Sequence, residues 1–161
     1  MGAERAIESR TDELNLVMSV SETHNLANLR MPREKSFAGL AEVIALAKTR
    51  PGQITFASSG SGQANHLAGE MFKSMAKVDI LHVPYKFATP ALIDVVSGQV
   101  QIMWPIMSIS LPQVQSGKLR GLGVSTRERT KLAPQLPTIA ESGLPGYEII
   151  GWNGLIAPAK T

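Results

Sequence analysis

What most constrains this chain is an alternation. From residue 36 onwards, short apolar runs of strand length take turns with amphipathic runs at helical spacing, and glycine or proline marks most changes. Phe37, Leu40, Ala41, Ile44 and Ala47 recur at helical spacing behind Ser36 as N-cap, and Pro51-Gly52 ends the run. Residues 54–57 read as a short buried strand. Leu67, Ala68, Met71, Phe72 and Met75 then form a second helical stripe, two turns long, that would lie against a sheet. Residues 80–83 predict the next strand, and Thr89-Pro90 suits the N-cap and first position of a third helix closed by Gly98. Residues 100–104 read as a strand, 112–115 as a short helix closed by Gly117, and 119–125 as a further strand. A helical turn at 138–142 and an extended run over 147–157 follow. In the first 35 residues only 14–20 resembles a strand, and 24–30 has no clean period. Such alternation with short connections predicts an α/β fold: a mostly parallel sheet flanked by helices, with right-handed crossovers.

Composition narrows the function classes. A length of 161 residues allows one ordinary domain or one lobe of something larger, and 43% hydrophobic with 18% charged residues is the balance of a chain that folds. The 16 Lys and Arg exceed the 13 Asp and Glu by three, and aromatics, at 5%, do not interleave with any basic run. Nucleic acid is therefore not an expected partner. Absence of cysteine removes disulfides, thiolate catalysis and zinc-thiolate sites together. No stretch approaches the roughly 18–20 apolar residues of a membrane helix. Residues 1–10 carry charges where the apolar core of a signal peptide would lie, so the chain as written is expected to stay in the cytoplasm.

Chemistry gathers at two strand-to-helix junctions. In Ser58-Ser59-Gly60-Ser61-Gly62-Gln63 the glycines permit a tight turn, while the hydroxyls of Ser58, Ser59 and Ser61 and the first free N–H groups of the helix offer donors to an anion. A plain βα loop with capping serines accounts for the same residues equally well. No Lys-Ser or Lys-Thr follows the glycines, and Asn65 occupies the third glycine's place of a dinucleotide fingerprint, so nucleotides are disfavoured. The second junction, Val83-Pro84-Tyr85-Lys86-Phe87-Ala88-Thr89-Pro90, falls on the same sheet edge, where ligands of open α/β sheets collect. There Lys86 could supply charge, Tyr85 a hydroxyl or ring face, and Thr89 a hydroxyl, although a lone lysine is most often solvated. A third strand end, Met103-Trp104-Pro105-Ile106-Met107-Ser108, brings an aromatic to that edge, with core packing as its commoner fate. His24, His66 and His82 have no metal-ligand spacing; His66 is better placed to orient the serine loop or to satisfy the surface than to bind metal. Gly-x-Ser-x-Gly is missing, and Glu70, Asp79, Asp94 and Glu141 are scattered as surface acids are. No catalytic residue, metal or cofactor is expected.

These runs form a recognisable series. Pro51-Gly52-Gln53-Ile54-Thr55-Phe56-Ala57-Ser58-Ser59-Gly60, His66-Leu67-Ala68-Gly69-Glu70-Met71-Phe72-Lys73, His82-Val83-Pro84-Tyr85-Lys86 with Pro90-Ala91, and Gly98-Gln99-Val100 come in order. Gly117-Lys118-Leu119-Arg120, Leu136-Pro137-Thr138-Ile139-Ala140-Glu141-Ser142-Gly143-Leu144-Pro145-Gly146-Tyr147-Glu148 and Gly154-Leu155-Ile156-Ala157-Pro158-Ala159 complete it. In sequence and spacing the series closely resembles the Bug-type, or TctC-like, substrate-binding proteins of tripartite tricarboxylate transporters.

The resemblance implies a non-enzymatic, periplasmic, two-lobed receptor that closes on a small carboxylated solute (a dicarboxylate, amino acid or aromatic acid) and passes it to a membrane permease. It implies one lobe of a type II periplasmic binding protein-like fold here, with 36–146 as the α/β second lobe, 1–35 a poorly matched segment, and 147–161 the start of a return strand. About half of the family's usual length is covered, as in a shortened form. Carried over by position, the ligand-binding residues are Ser58, Ser59, Gly60, Ser61, Gly62, Asn65, His66, Tyr85, Lys86, Ala88 and Thr89. Phe87 stands where relatives usually have glycine, and Trp104-Pro105 where they often have an acid. The other expectation is a self-associating α/β interaction module, a homodimer through the exposed lobe edge.

Overall fold

The computed structural model describes residues 17–21, 39–151 and 157–159. Five strands and four helices lie within them: β1 (Val17–Ser21), α1 (Leu40–Thr49), β2 (Thr55–Ser58), α2 (Ala64–Ala76), β3 (Leu81–Pro84), α3 (Ala88–Val96), β4 (Ile102–Met103), α4 (Met107–Gln115) and β5 (Leu119–Val124). They build one sheet in the order β3-β2-β4-β1-β5. β2 pairs in parallel with β3 and β4, whereas β1 runs antiparallel to both β4 and β5. The sheet is thus the expected parallel α/β layer with one reversed strand inserted.

Strand alternation sorts the helices onto two faces. Phe56, Ile102 and Leu122 face α1 and α2, meeting Leu40, Val43, Ala47, Ala68, Phe72 and Ala76. Ala57, Met103 and Leu119 point the other way, against Ala91, Leu92 and Val95 of α3. Because β2 lies between β3 and β4, the connection through α2 leads to one side of β2, and the connection through α3 returns to the other. This reversal is the arrangement that opens a crevice at the carboxyl ends of strands.

Several boundaries differ from the sequence reading. The N-cap of α1 is Gly39, in extended conformation, while Ser36 and Phe37 lie outside the described residues. α3 starts at Ala88 with Phe87 as N-cap, so Thr89 and Pro90 sit inside its first turn; proline is tolerated there because those N–H groups have no helical partner to lose. β4 is only Ile102–Met103, and α4 begins at Met107, five residues ahead of Pro112, which it carries internally. Leu67 is 51% exposed; the buried face of α2 is Asn65, Ala68, Gly69, Phe72 and Ala76. Small residues let that helix approach Phe56, and Phe72 is buried on the same face. Gly98 and Gly117, both with positive φ, follow the ends of α3 and α4 as expected. The strand-like stretch at 14–20 is described only from Val17, the irregular 24–30 lies outside the described residues, and the final extended run is described at 147–151 and 157.

Candidate functional site

The serine loop connects β2 to α2 and is built around one buried hydroxyl. Ser58 is fully buried; its Oγ lies 2.6 Å from His82 Nε2, is 3.2 Å from the carbonyl of Gly60, and accepts the Gly60 N–H at 3.2 Å. The chain turns there because Gly60 and Gly62 take φ of 138° and 83°, which only glycine adopts without strain. Asn65, in the first turn of α2, reaches back: its Oδ1 accepts the Ser59 N–H at 3.3 Å, and its Nδ2 donates to Ser59 Oγ at 3.0 Å. His66 Nδ1 accepts the Gly62 N–H at 3.0 Å. Ser58, Ser59 and Asn65 therefore shape the loop from within, while Ser61 and Gly62 stand exposed at its tip.

Beneath the loop lies an aromatic stack. Phe56 and His82 are opposite each other in the parallel register of β2 and β3, with ring centroids 4.9 Å apart, and the His66 ring lies tilted against His82 at 4.1 Å. Burial, then the neighbouring His66 and Lys73, push the His82 pKa below its usual 6.5, against an opposing pull from Glu70. Trp104 meets Phe56 edge-on at 5.8 Å and Phe72 at 5.4 Å. It is fully buried, so the third strand end contributes core, not an exposed aromatic. Its Nε1 completes no hydrogen bond, though it lies near enough to Tyr147 to offset part of the upward pKa shift that burial gives that phenol.

The second loop follows β3 and touches the first: the Tyr85 N–H donates to the Ser58 carbonyl at 3.0 Å. Tyr85 Oη donates to Asp94 Oδ2 of α3 at 2.6 Å, and burial together with that carboxylate pushes the phenol up to about 12. Its hydroxyl is thus committed inward. Lys86, Phe87 and Thr89 are exposed, Phe87 by 70%, and Ala88 is half-buried. The structure brings the two predicted loops together at one sheet edge, with the N-termini of α2 and α3 both opening there. Sequence reasoning missed His82 and Asp94 as partners. Register with Phe56 could have revealed His82; no local signal marks Asp94, nine residues beyond Tyr85. Among the described residues, no group of three or more His, Asp or Glu could hold a metal ion, and no helix is long and apolar enough to cross a membrane.

A mixed α/β layer with two donor-bearing βα loops at a strand-order reversal is an architecture in which small ligands bind at the sheet edge. Residues 7–161 match the family described as "Tripartite tricarboxylate transporter family receptor", and the chain belongs to it. A protein in the tcbD-tcbE intergenic region of Pseudomonas sp. (strain P51) is 37% identical over 134 residues, covering 83% of this chain and 40% of that protein. Protein BugT of Bordetella pertussis is 34% identical over 122 residues, covering 76% and 37%. Among solved structures, R. palustris Rpa4515 with adipate superimposes with a TM-score of 0.78 and 33% identity, covering 88% of this chain and 44% of that one. The periplasmic binding protein BugD gives 0.70 and 28%, covering 88% and 46%. The chain thus spans less than half the length of these relatives.

Proposed function

We propose that this chain supplies one wall of a receptor site for a small carboxylated solute, the solute lying across the serine loop and the loop after β3. The observation that carries this reading is the meeting of the two βα loops and two helix N-termini at a single sheet edge. Aligned peptide dipoles and free N–H groups there favour a carboxylate. Ser61, Lys86 and Thr89, all exposed, are the contacting side chains; Ser59, Gly60 and Gly62 shape the turn, Ala88 lines the start of α3, and Ser58, Asn65, His66 and Tyr85 support from behind. The adipate of a 33%-identical neighbour supports a dicarboxylate. In a complete receptor a facing lobe closes over the solute, which binds the closed state more tightly, and a periplasmic site would deliver it to a membrane permease. Titration of the full chain with adipate, read by amide shifts in residues 58–66 and 85–89, tests the site. Shifts confined to other regions would overturn it.

A second reading is self-association through β3, one of the two outer strands of the sheet, which exposes Leu81 by 50%. A strict monomer at high concentration in light scattering would overturn that alternative.

A further inference from the structure

We propose that His66 is a positioning residue for the serine loop, a proton-sensitive latch whose neutral imidazole holds the Gly62 turn and whose protonation releases it. The inference rests on the solute-site reading only for the loop's purpose; the latch itself rests on geometry. The Gly62 N–H donates to His66 Nδ1 at 3.0 Å, so that nitrogen is the lone-pair nitrogen and the proton of the neutral ring is on Nε2. Nε2 in turn lies 3.9 Å from Glu70 Oε1. Adding a proton to Nδ1 converts the acceptor into a donor, and two donors then face each other across the turn. The Gly62 N–H must leave.

Three features make the imidazole a latch more than a passing contact. Gly62 takes a φ of 83°, so the turn depends on backbone geometry that no side chain of its own can pin. His66 packs against His82, with ring centroids 4.1 Å apart and planes tilted by 32°, and His82 is tied through Ser58 Oγ to Gly60. The two histidines thus grip successive glycines of one loop. Among the described residues, the charged or titratable groups around His66 are Glu70 on α2, itself paired with Lys73 at 3.3 Å, and His82 on β3; from β2 comes the uncharged Phe56. Two imidazoles this close repel when both are charged, and His82 resists protonation through burial. Of the two rings, His66 is the one that carries the Gly62 bond and has Glu70 beside it.

Amide and imidazole signals of the full chain, followed by nuclear magnetic resonance from about pH 8 to about pH 5, test this. The Gly62 amide proton is expected to move upfield on acidification with the same midpoint as the His66 ring. In His66→Asn, whose Oδ1 can take the place of Nδ1 as acceptor without titrating, it should stay downfield throughout. His66→Leu should show the upfield position at every pH; if that variant fails to fold, wild type against His66→Asn decides. A Gly62 amide that ignores the titration of His66, or that titrates identically in His66→Asn, would overturn the latch. Adipate added at about pH 8 separates the two ideas: no shift in either loop there sinks the solute-site reading, while the latch stands or falls on the ligand-free amide data alone.

Discussion

Gly69 shows how one residue decides the placement of a helix. A Cβ at this position would stand 2.6 Å from Phe56 Cδ2 and 2.7 Å from Cζ, inside the ring's contact distance. Alanine in a helix interior normally gains about 0.5–1 kcal/mol over glycine. Here overpacking, which costs about 1–3 kcal/mol, wins, because Phe56 is held between His82 and Trp104 and cannot swing aside. Gly69→Ala is expected to lower the urea midpoint with an unchanged m-value. His82 sets a pH dependence of known sign. Its pKa in the folded protein lies below the usual 6.5, so its contribution is fully present above about 6.5 and declines as pH falls towards the depressed value, where the unfolded chain takes up protons first. Urea midpoints measured across that window should fall less steeply in His82→Gln, whose amide can still reach Ser58.

At the scale of elements, the segment after β5 is fixed by polar ties that periodicity does not announce. Thr138 and Glu141 form a reciprocal cap: Glu141 Oε2 accepts the Thr138 N–H at 2.8 Å and Thr138 Oγ1 accepts the Glu141 N–H at 3.0 Å. That backbone bond, and then Arg129 at 2.9 Å, hold the Glu141 carboxyl below its usual pKa, so the cap weakens as pH falls through the lowered value. Further along, Tyr147 Oη donates to the Ala68 carbonyl of α2 at 2.9 Å, joining positions 79 residues apart. Tyr147→Phe should cost about 0.5–1.5 kcal/mol, seen in thermal or urea unfolding, since the ring still fills its place and one buried bond is lost. These elements also show how far a linear reading carries. The strand, loop and helix at 55–76 were legible because period, glycines and polarity agree there. The start of α4 is hidden in the sequence because Pro112 looks like a helix start, whereas the helix already runs from Met107 and carries that proline internally, at the cost of a backbone bond and a crowded carbonyl four residues back. β1 could not be assigned a direction, because antiparallel insertion between β4 and β5 depends on partners more than 80 residues away.

For the whole molecule, affinity is the decisive quantity. A site with one wall leaves much of a solute in water, so adipate is expected to bind the full chain at millimolar strength or weaker, about 4 kcal/mol or less, in calorimetry. Low-micromolar binding would show that a single wall suffices. The sequence by itself determined the α/β class, the two loops and the family, because periodicity, turn residues and motif order are local properties written along the chain. Only the tertiary structure decided which site residues face outward. Ser58 and Tyr85 read as donors for a ligand, yet Ser58 bonds inward to His82 and Tyr85 to Asp94. The reason is physical: a hydroxyl at a strand end is satisfied by whichever acceptor the sheet register and helix packing bring within about 3 Å, and neither is fixed until distant segments meet.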